Sequence, residues 1–111
     1  YGLLTDFITR QWSGMRTREY KDLKGLKKES LRDNMTNIEL ALNTLAEAST
    51  TEISRQQNPE TLGQHINVAK SGGNVAKVAR TELESKLGRT VISSAKASDY
   101  IKGQEPPKEI E

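Results

Sequence analysis

The chain has no cysteine, and that absence removes several kinds of chemistry at once. Disulfide bonds, thiolate metal sites and cysteine nucleophiles are excluded, and a reducing compartment fits. Histidine is almost as scarce: His65 is the only one, so neither a histidine metal site nor a Ser-His-Asp triad is expected. We therefore expect no cofactor, no metal and no small-molecule substrate.

Apolar residues are scarce as well. Aromatic residues make up 5% of the 111 residues, and Leu, Ile, Val and Phe together make up about a fifth, near the level below which disorder becomes common. No run approaches the ~18 apolar residues that a membrane span needs, so no membrane association is expected. The net charge of +2 is too small for self-repulsion to oppose folding. The composition favours a folded domain with a thin core that a partner would help to cover.

Residues 1–103 are expected to form this domain, a helical interaction domain. The chain starts at Tyr1 without Met, which predicts a fragment. Two consecutive prolines among charged residues near the C-terminus predict a disordered tail at 104–111.

The strongest helix pattern lies at residues 36–57. Thr36 followed by Glu39 is a capping box, in which each side chain satisfies a backbone N–H of the first turn. Apolar residues then recur at helical spacing, and Asn58-Pro59 ends the helix because the residue before a proline avoids the α region. Pro59 suits the first position of a second helix. The short connection predicts an antiparallel hairpin of helices at about 37–57 and 59–87.

The second helix carries a heptad seam, in which spacings of three and four residues alternate. The phase of the seam is unbroken across Gly72-Gly73, which favours one continuous helix closed by Gly88. The alternative is a break at the glycine pair, with Asn74 capping a new helix. A continuous helix predicts a close backbone approach at Gly72 and tolerance of Gly73→Ala, which lies one position off the seam. The seam residues are Leu62, His65, Ala69, Gly72, Ala76, Ala79 and Leu83.

Shorter elements flank the hairpin. The only Trp and the only Phe lie on one side of an N-terminal helix that ends at Gly14. Residues 15–35 are broken and charged and predict short helices, and residues 89–101 fit either an irregular strap or a last short helix. The fold class is therefore all-α: an antiparallel helical hairpin with a packed N-terminal helix, short helices and an irregular C-terminal strap.

The charged segment is the main candidate for nucleic-acid contact, because lysine and arginine side chains neutralise phosphates. Acidic residues punctuate it, however, and favour a solvated face with local ion pairs over a phosphate-binding surface. The candidate contacts are Arg16, Arg18, Lys24, Lys27, Lys28 and Arg32.

One short pattern matches a catalytic motif. Ser93 and Lys96 have the Ser-x-x-Lys spacing of penicillin-recognising enzymes. The Ser-Asp-Asn and Lys-Thr-Gly motifs that accompany it in those enzymes are absent from the chain, so we interpret the match as chance. No catalytic residue is predicted.

Three stretches together carry a family resemblance. They are Lys-Gly-Leu-Lys-Lys at 24–28 followed by Leu-Arg-Asp-Asn-Met-Thr at 31–36, the run at 39–48, and Gly-Gly-Asn-Val-Ala at 72–76 with Ala79-Arg80 and Leu87-Gly88. Over residues 12–92 the chain resembles the C-terminal region of the bacterial and prophage proteins named DNA-damage-inducible protein D. It is also similar to phage antirepressor-like proteins with a Bro-type N-terminal domain.

The resemblance implies a cytoplasmic setting, a separate DNA-associated domain and a link to the SOS response or to prophage regulation. It implies no catalytic residue. We therefore expect a non-enzymatic protein-interaction or oligomerisation module of such a regulator. Its partners would be its own Bro-type domain or a second copy, and DNA would be reached through the full-length protein. The alternative function is a nucleic-acid-binding helical module that uses the basic segment 16–32.

Overall fold

The computed structural model describes residues 2–96, and within this range the fold is all-helical, as predicted. Four α-helices follow one another: α1 (Gly2–Ser13), α2 (Thr17–Leu23), α3 (Asn37–Gln57) and α4 (Leu62–Leu87). A short 3-10 helix, Arg32–Asn34, lies between α2 and α3. The predicted tail at 104–111 lies outside the described residues.

The helix α3 begins where its capping box predicts. Thr36 is the N-cap, its hydroxyl accepts a hydrogen bond from Glu39 N at 3.3 Å, and its own N–H donates to Glu39 Oε1 at 2.8 Å. The helix ends at Asn58, which takes a left-handed conformation and donates its N–H to Ser54 O at 2.8 Å. Asparagine tolerates this conformation better than most residues do. Both predicted ends are confirmed.

The helix α4 begins three residues later than predicted. Pro59 is not its first residue; Thr61 is the N-cap, and a second capping box joins the Thr61 hydroxyl and the Gln64 side chain. Two satisfied backbone N–H groups outweigh the preference of proline for the first helical position. The helix then continues unbroken through Gly72-Gly73 to Leu87, with Gly88 at its C-cap, which confirms the continuous helix.

The adjacent glycines of α4, Gly72 and Gly73, face two different helices. A Cβ atom at Gly72 would lie 1.9 Å from Thr50 Oγ1 and 2.7 Å from Thr50 Cα, so the backbone of α3 approaches there as closely as predicted. A Cβ at Gly73 would lie 2.6 Å from Gln11 Cβ and 3.0 Å from Ile8 O, both in α1. The expectation that Gly73→Ala is tolerated assumes open space beside Gly73. That assumption is wrong, because α1 approaches α4 closely at Gly73.

Most of the predicted seam packs between the helices of the hairpin. Ala69, Gly72 and Ala76 are buried, Ala79 and Leu83 pack against the core, and His65 is half-buried. Leu62 is 60% exposed and does not belong to the seam. It is the first residue of α4 and lies next to the loop after α3, so the partner helix does not reach across it.

The core lies where α1, α3 and α4 meet, and the short elements complete it. Residues 89–96 form no regular element, so the strap reading holds for this stretch; residues 97–101 lie outside the described part. Val91 anchors the strap and is 3% exposed. The buried hydrophobic residues of the core are Ile8, Trp12, Tyr20, Leu26, Leu31, Leu42, Ala46, Ala69, Ala76 and Val91.

Candidate functional site

One of the six predicted nucleic-acid contacts does not lie on the surface. Lys24 is buried, and its side chain is 0% exposed, so it is not available to a phosphate. The prediction for Lys24 is wrong because it ends the helix α2 on the same face as Tyr20, one turn after it, and that face packs inward. The remaining predicted contacts are exposed: Arg16, Arg18, Lys27, Lys28 and Arg32.

Three of these exposed basic residues lie next to acidic groups. Arg32 Nη1 donates to Glu47 Oε1 at 2.6 Å. The Glu29 carboxylate accepts hydrogen bonds from the backbone N–H groups of Lys27 and Lys28, and the bond from Lys27 does most to lower the pKa of Glu29. Glu29 therefore stays ionised among the lysines and offsets part of their charge, as expected of a solvated face.

The buried Lys24 belongs to a polar group that we call the Glu39 cluster, made of Tyr20, Lys24 and Glu39. Glu39 Oε1 accepts from Lys24 Nζ at 2.8 Å and from Thr36 N at 2.8 Å. Glu39 Oε2 accepts from the Tyr20 hydroxyl and from Ser93 N at 3.1 Å. One carboxylate thus joins α2, the start of α3 and the strap.

The Lys24 ammonium is saturated with hydrogen bonds. Besides Glu39, it donates to the backbone carbonyls of Ser93 at 2.7 Å and Ala95 at 2.6 Å. Burial, together with the hydrogen bond to Glu39, raises the pKa of Tyr20 far above its ordinary value, so its hydroxyl remains a donor at neutral pH. Among the described residues no buried side-chain nitrogen or oxygen lacks a partner. The cluster therefore binds protein main chain.

Sequence reasoning found Glu39 only as a capping residue and Lys24 only as a surface cation. A signal for their meeting was present in the spacing of Tyr20 and Lys24, which places both on one helical face. Lys24 Nζ lies 5.7 Å from the centroid of the Tyr20 ring. No local pattern indicates the third participant, the strap, because it is distant in sequence.

A second ion pair holds the other end of the strap. Arg80 Nε donates to Glu84 Oε2 at 2.9 Å, and the same carboxylate oxygen accepts from Val91 N at 2.9 Å and Thr90 Oγ1 at 3.0 Å. Burial, the largest single influence, opposes ionisation of Glu84. The hydrogen bonds from Val91, Arg80 and Thr90 outweigh it and lower the pKa of Glu84. Glu84 is thus a charged anchor for the strap.

The described residues leave one side of the hairpin uncovered, opposite α1, and we call this side the outer face. Its most exposed apolar residues are Leu45 at 38%, Val75 at 42% and Val78 at 62%. Val75 and Val78 are neighbours on α4. Because α3 and α4 are antiparallel and Thr50 faces Gly72, Leu45 is level with the turn that carries the two valines. The outer face comprises Leu45, Ser49, Ser71, Val75 and Val78.

Three basic residues of α4 lie towards α1 and leave the middle of the outer face uncharged. Lys70 Nζ lies 5.4 Å from the Phe7 ring centroid, and Arg80 Nη1 donates to the carbonyls of Trp12 and Ser13. Lys77 lines a groove with residues of α1. The middle of the outer face therefore combines small polar and apolar side chains, the composition that suits packing against another protein.

The range of residues 2–96 holds no group of three histidine, cysteine or acidic side chains that could bind a metal ion. None of the helices in it combines the length and apolar character needed to cross a membrane.

Comparison of the chain with protein-family models, with curated proteins and with solved structures finds no match.

Proposed function

We propose that the chain is a non-enzymatic protein-interaction module that self-associates through its outer face. The observation that carries this proposal is the uncharged apolar strip on an otherwise charged surface. Exposed valine and leucine side chains on neighbouring helices are typical of surfaces that another protein covers. In keeping with the resemblance, we place the module in a cytoplasmic regulator of the DNA-damage-inducible or prophage antirepressor-like type.

A second copy of the chain is the partner that fits the outer face best. Two helices side by side, each about 10 Å wide and about 30 Å long, offer an area on the order of 600 Å². A standard interface buries about 800 Å² per partner. Packing two hairpins face to face about a two-fold axis gives a four-helix arrangement, a common way to bury such surfaces.

The charges at the ends of the outer face are compatible with this symmetry. Glu52 and Arg55 form an ion pair near the end of α3, and Glu82 and Lys86 form one near the end of α4. A two-fold axis through the middle of the outer face would bring the Glu52–Arg55 pair of each copy towards the Glu82–Lys86 pair of its partner. Because each pair is neutral overall, this approach creates no like-charge contact.

Sedimentation velocity of the full chain tests the proposal. We expect a concentration-dependent dimer, which Val78→Glu converts to monomer because a buried unpaired carboxylate is costly at an interface. The control is Thr51→Glu, which adds the same charge at an exposed position of α3 outside the outer face. A wild-type chain that stays monomeric at high micromolar concentration would rule out the homodimer.

A second candidate function is nucleic-acid binding, which the exposure of Arg16, Arg18, Lys27 and Lys28 favours. We expect only weak binding of duplex DNA that declines steeply with salt, since Lys24 is unavailable and Glu29 offsets its neighbours. Submicromolar binding at physiological salt that is lost on changing Lys27 and Lys28 to Glu would reverse the order of the two candidates.

A further inference from the structure

The strap is held through its main chain at four points. Ser93 N donates to Glu39, while the carbonyls of Ser93 and Ala95 accept from Lys24. Val91 N donates to Glu84. All four strap groups are backbone atoms, so these contacts recognise an extended peptide without regard to most of its side chains.

Side chains of the strap contribute much less. Val91 is its only described residue that is fully buried, and Ile92 packs against the core while half-exposed. The Ser93 hydroxyl bonds within the strap itself, to Ala95 N at 3.0 Å. The side chain of Ser94 is exposed. The strap therefore offers two successive apolar residues that contact the core, followed by residues that the site holds mainly through their backbone.

A purely structural role does not require the buried charged groups that bind the strap, because burying charges costs free energy. Lys24 and Glu39 are both fully buried, and apolar residues of similar volume are often at least as stabilising as a buried ion pair. Two of the three hydrogen bonds of the Lys24 ammonium end on strap carbonyls. Departure of the strap would leave those two donors, one Glu39 acceptor and the pocket of Val91 open together.

The connection before the strap permits such a departure. Gly88 has a φ of +73°, and Gly88, Arg89 and Thr90 are all exposed. The close approaches of α4 to α3 and to α1 are made at Gly72 and Gly73, far from the strap. We therefore expect these helix contacts to persist when the strap leaves.

We infer that the Glu39 cluster and the Val91 pocket form a binding site for an extended peptide, and that residues 91–96 are its built-in, releasable occupant. The strap blocks the site in the closed chain. An extended segment of another protein that begins with two successive apolar residues and continues with small residues, as the strap does, takes its place when the strap is released. This site is separate from the outer face, so either proposal stands without the other.

A labelled peptide with the sequence of residues 89–96 tests the inference by fluorescence polarisation with the full chain. Val91→Asp in the chain removes the anchor of the strap, and we expect this variant to bind the peptide at least about 10-fold more tightly than the wild type, whose own strap competes. The matched control is Ser94→Asp, which places the same charge on an exposed strap position and should bind like the wild type.

The peptide itself carries the second control. N-methylation at the position of Ser93 removes the N–H that Glu39 accepts and should lower affinity at least about 10-fold. N-methylation at the position of Ser94 should have a much smaller effect. Equal loss at both positions, or no binding to a folded Val91→Asp chain, would overturn the inference.

Hydrogen exchange of the wild-type chain decides the matter if Val91→Asp fails to fold. A releasable strap exchanges the amides of Val91 and Ser93 through local opening, at least about 100-fold faster than the buried helical amides of Ala46 and Val68. Equal protection of all four amides would show that the strap leaves only on global unfolding, and the inference would fail.

Discussion

The seam between α3 and α4 and the Glu39 cluster hold the molecule together in opposite ways. In the seam, small residues let two backbones approach until a single Cβ at Gly72 would overlap Thr50. In the cluster, three large polar side chains fill the space between α2, α3 and the strap. The seam depends on the absence of large side chains, and the cluster depends on the presence of all three of its side chains. The two regions should therefore respond differently to substitution.

The largest effect should come from the cluster. Glu39→Ala leaves the Lys24 ammonium buried beside no carboxylate and removes acceptors for Tyr20 and Ser93. We expect a loss of about 3–5 kcal/mol in the free energy of unfolding, measured by denaturant titration. Glu47→Ala breaks the exposed pair with Arg32 and should cost no more than about 1 kcal/mol. Equal effects of the two would contradict the distinction between them.

Gly72→Ala should come next. The added Cβ would meet the backbone of Thr50, which cannot move without moving α3. Overpacking of about 1–3 kcal/mol should exceed the gain of about 1 kcal/mol that alanine brings to a helix interior. The control is Gly63→Ala, also in α4, whose Cβ would make only an ordinary contact at 3.9 Å. Thermal melts should show Gly72→Ala destabilised and Gly63→Ala unchanged or stabilised.

Gly73→Ala should be milder than Gly72→Ala. Its Cβ would meet the Gln11 side chain, which can shift, and Ile8 O at 3.0 Å, which can shift only with α1. We expect a net loss of about 1 kcal/mol by the same melts. A stabilised variant would show that α1 lies further from α4 than described and would restore the original expectation from the seam.

The smallest effect concerns Glu84 and depends on pH. Its pKa lies below the ordinary value of 4.5, so its contribution to stability is present above that pH and is lost as pH falls through the lowered pKa. Glu84→Gln should lower the free energy of unfolding by no more than about 1 kcal/mol at pH 7. The difference from the wild type should shrink as both are titrated below pH 4.5. A difference that stays constant would mean that the charge of Glu84 does not matter.

The sequence predicted the seam far better than the cluster, for a physical reason. Helical periodicity and capping boxes are local, so the ends of α3 and the continuity of α4 could be read directly, although proline misplaced the start of α4. The cluster joins Lys24, Glu39 and Ser93 across long stretches of chain. Nothing within a few residues of Lys24 indicates that its charge is neutralised by a carboxylate in another helix.

The second glycine was misjudged for a related reason. A heptad describes the contact of one helix with one partner, and Gly73 lies off that line. Gly73 contacts a third helix, α1. The residue pattern of α4 alone does not indicate from which direction a further helix packs against it. The outer face could not be predicted from the sequence either. Leu45 belongs to the apolar stripe of α3, which predicts burial, yet it is 38% exposed.

The adjacent glycines also bear on the order in which the chain assembles. Thr50 and Gly72 lie on helices that one short loop joins, whereas the whole of α2 and α3 separates Ile8 from Gly73 in the sequence. Closing the hairpin therefore costs less chain entropy than docking α1 on α4. Of the four described helices α1 leaves the ribosome first, yet α4, against which it packs, is made last. We therefore expect the face of α1 that carries Ile8 to lack part of its packing partner on the nascent chain until Gly73 has been added.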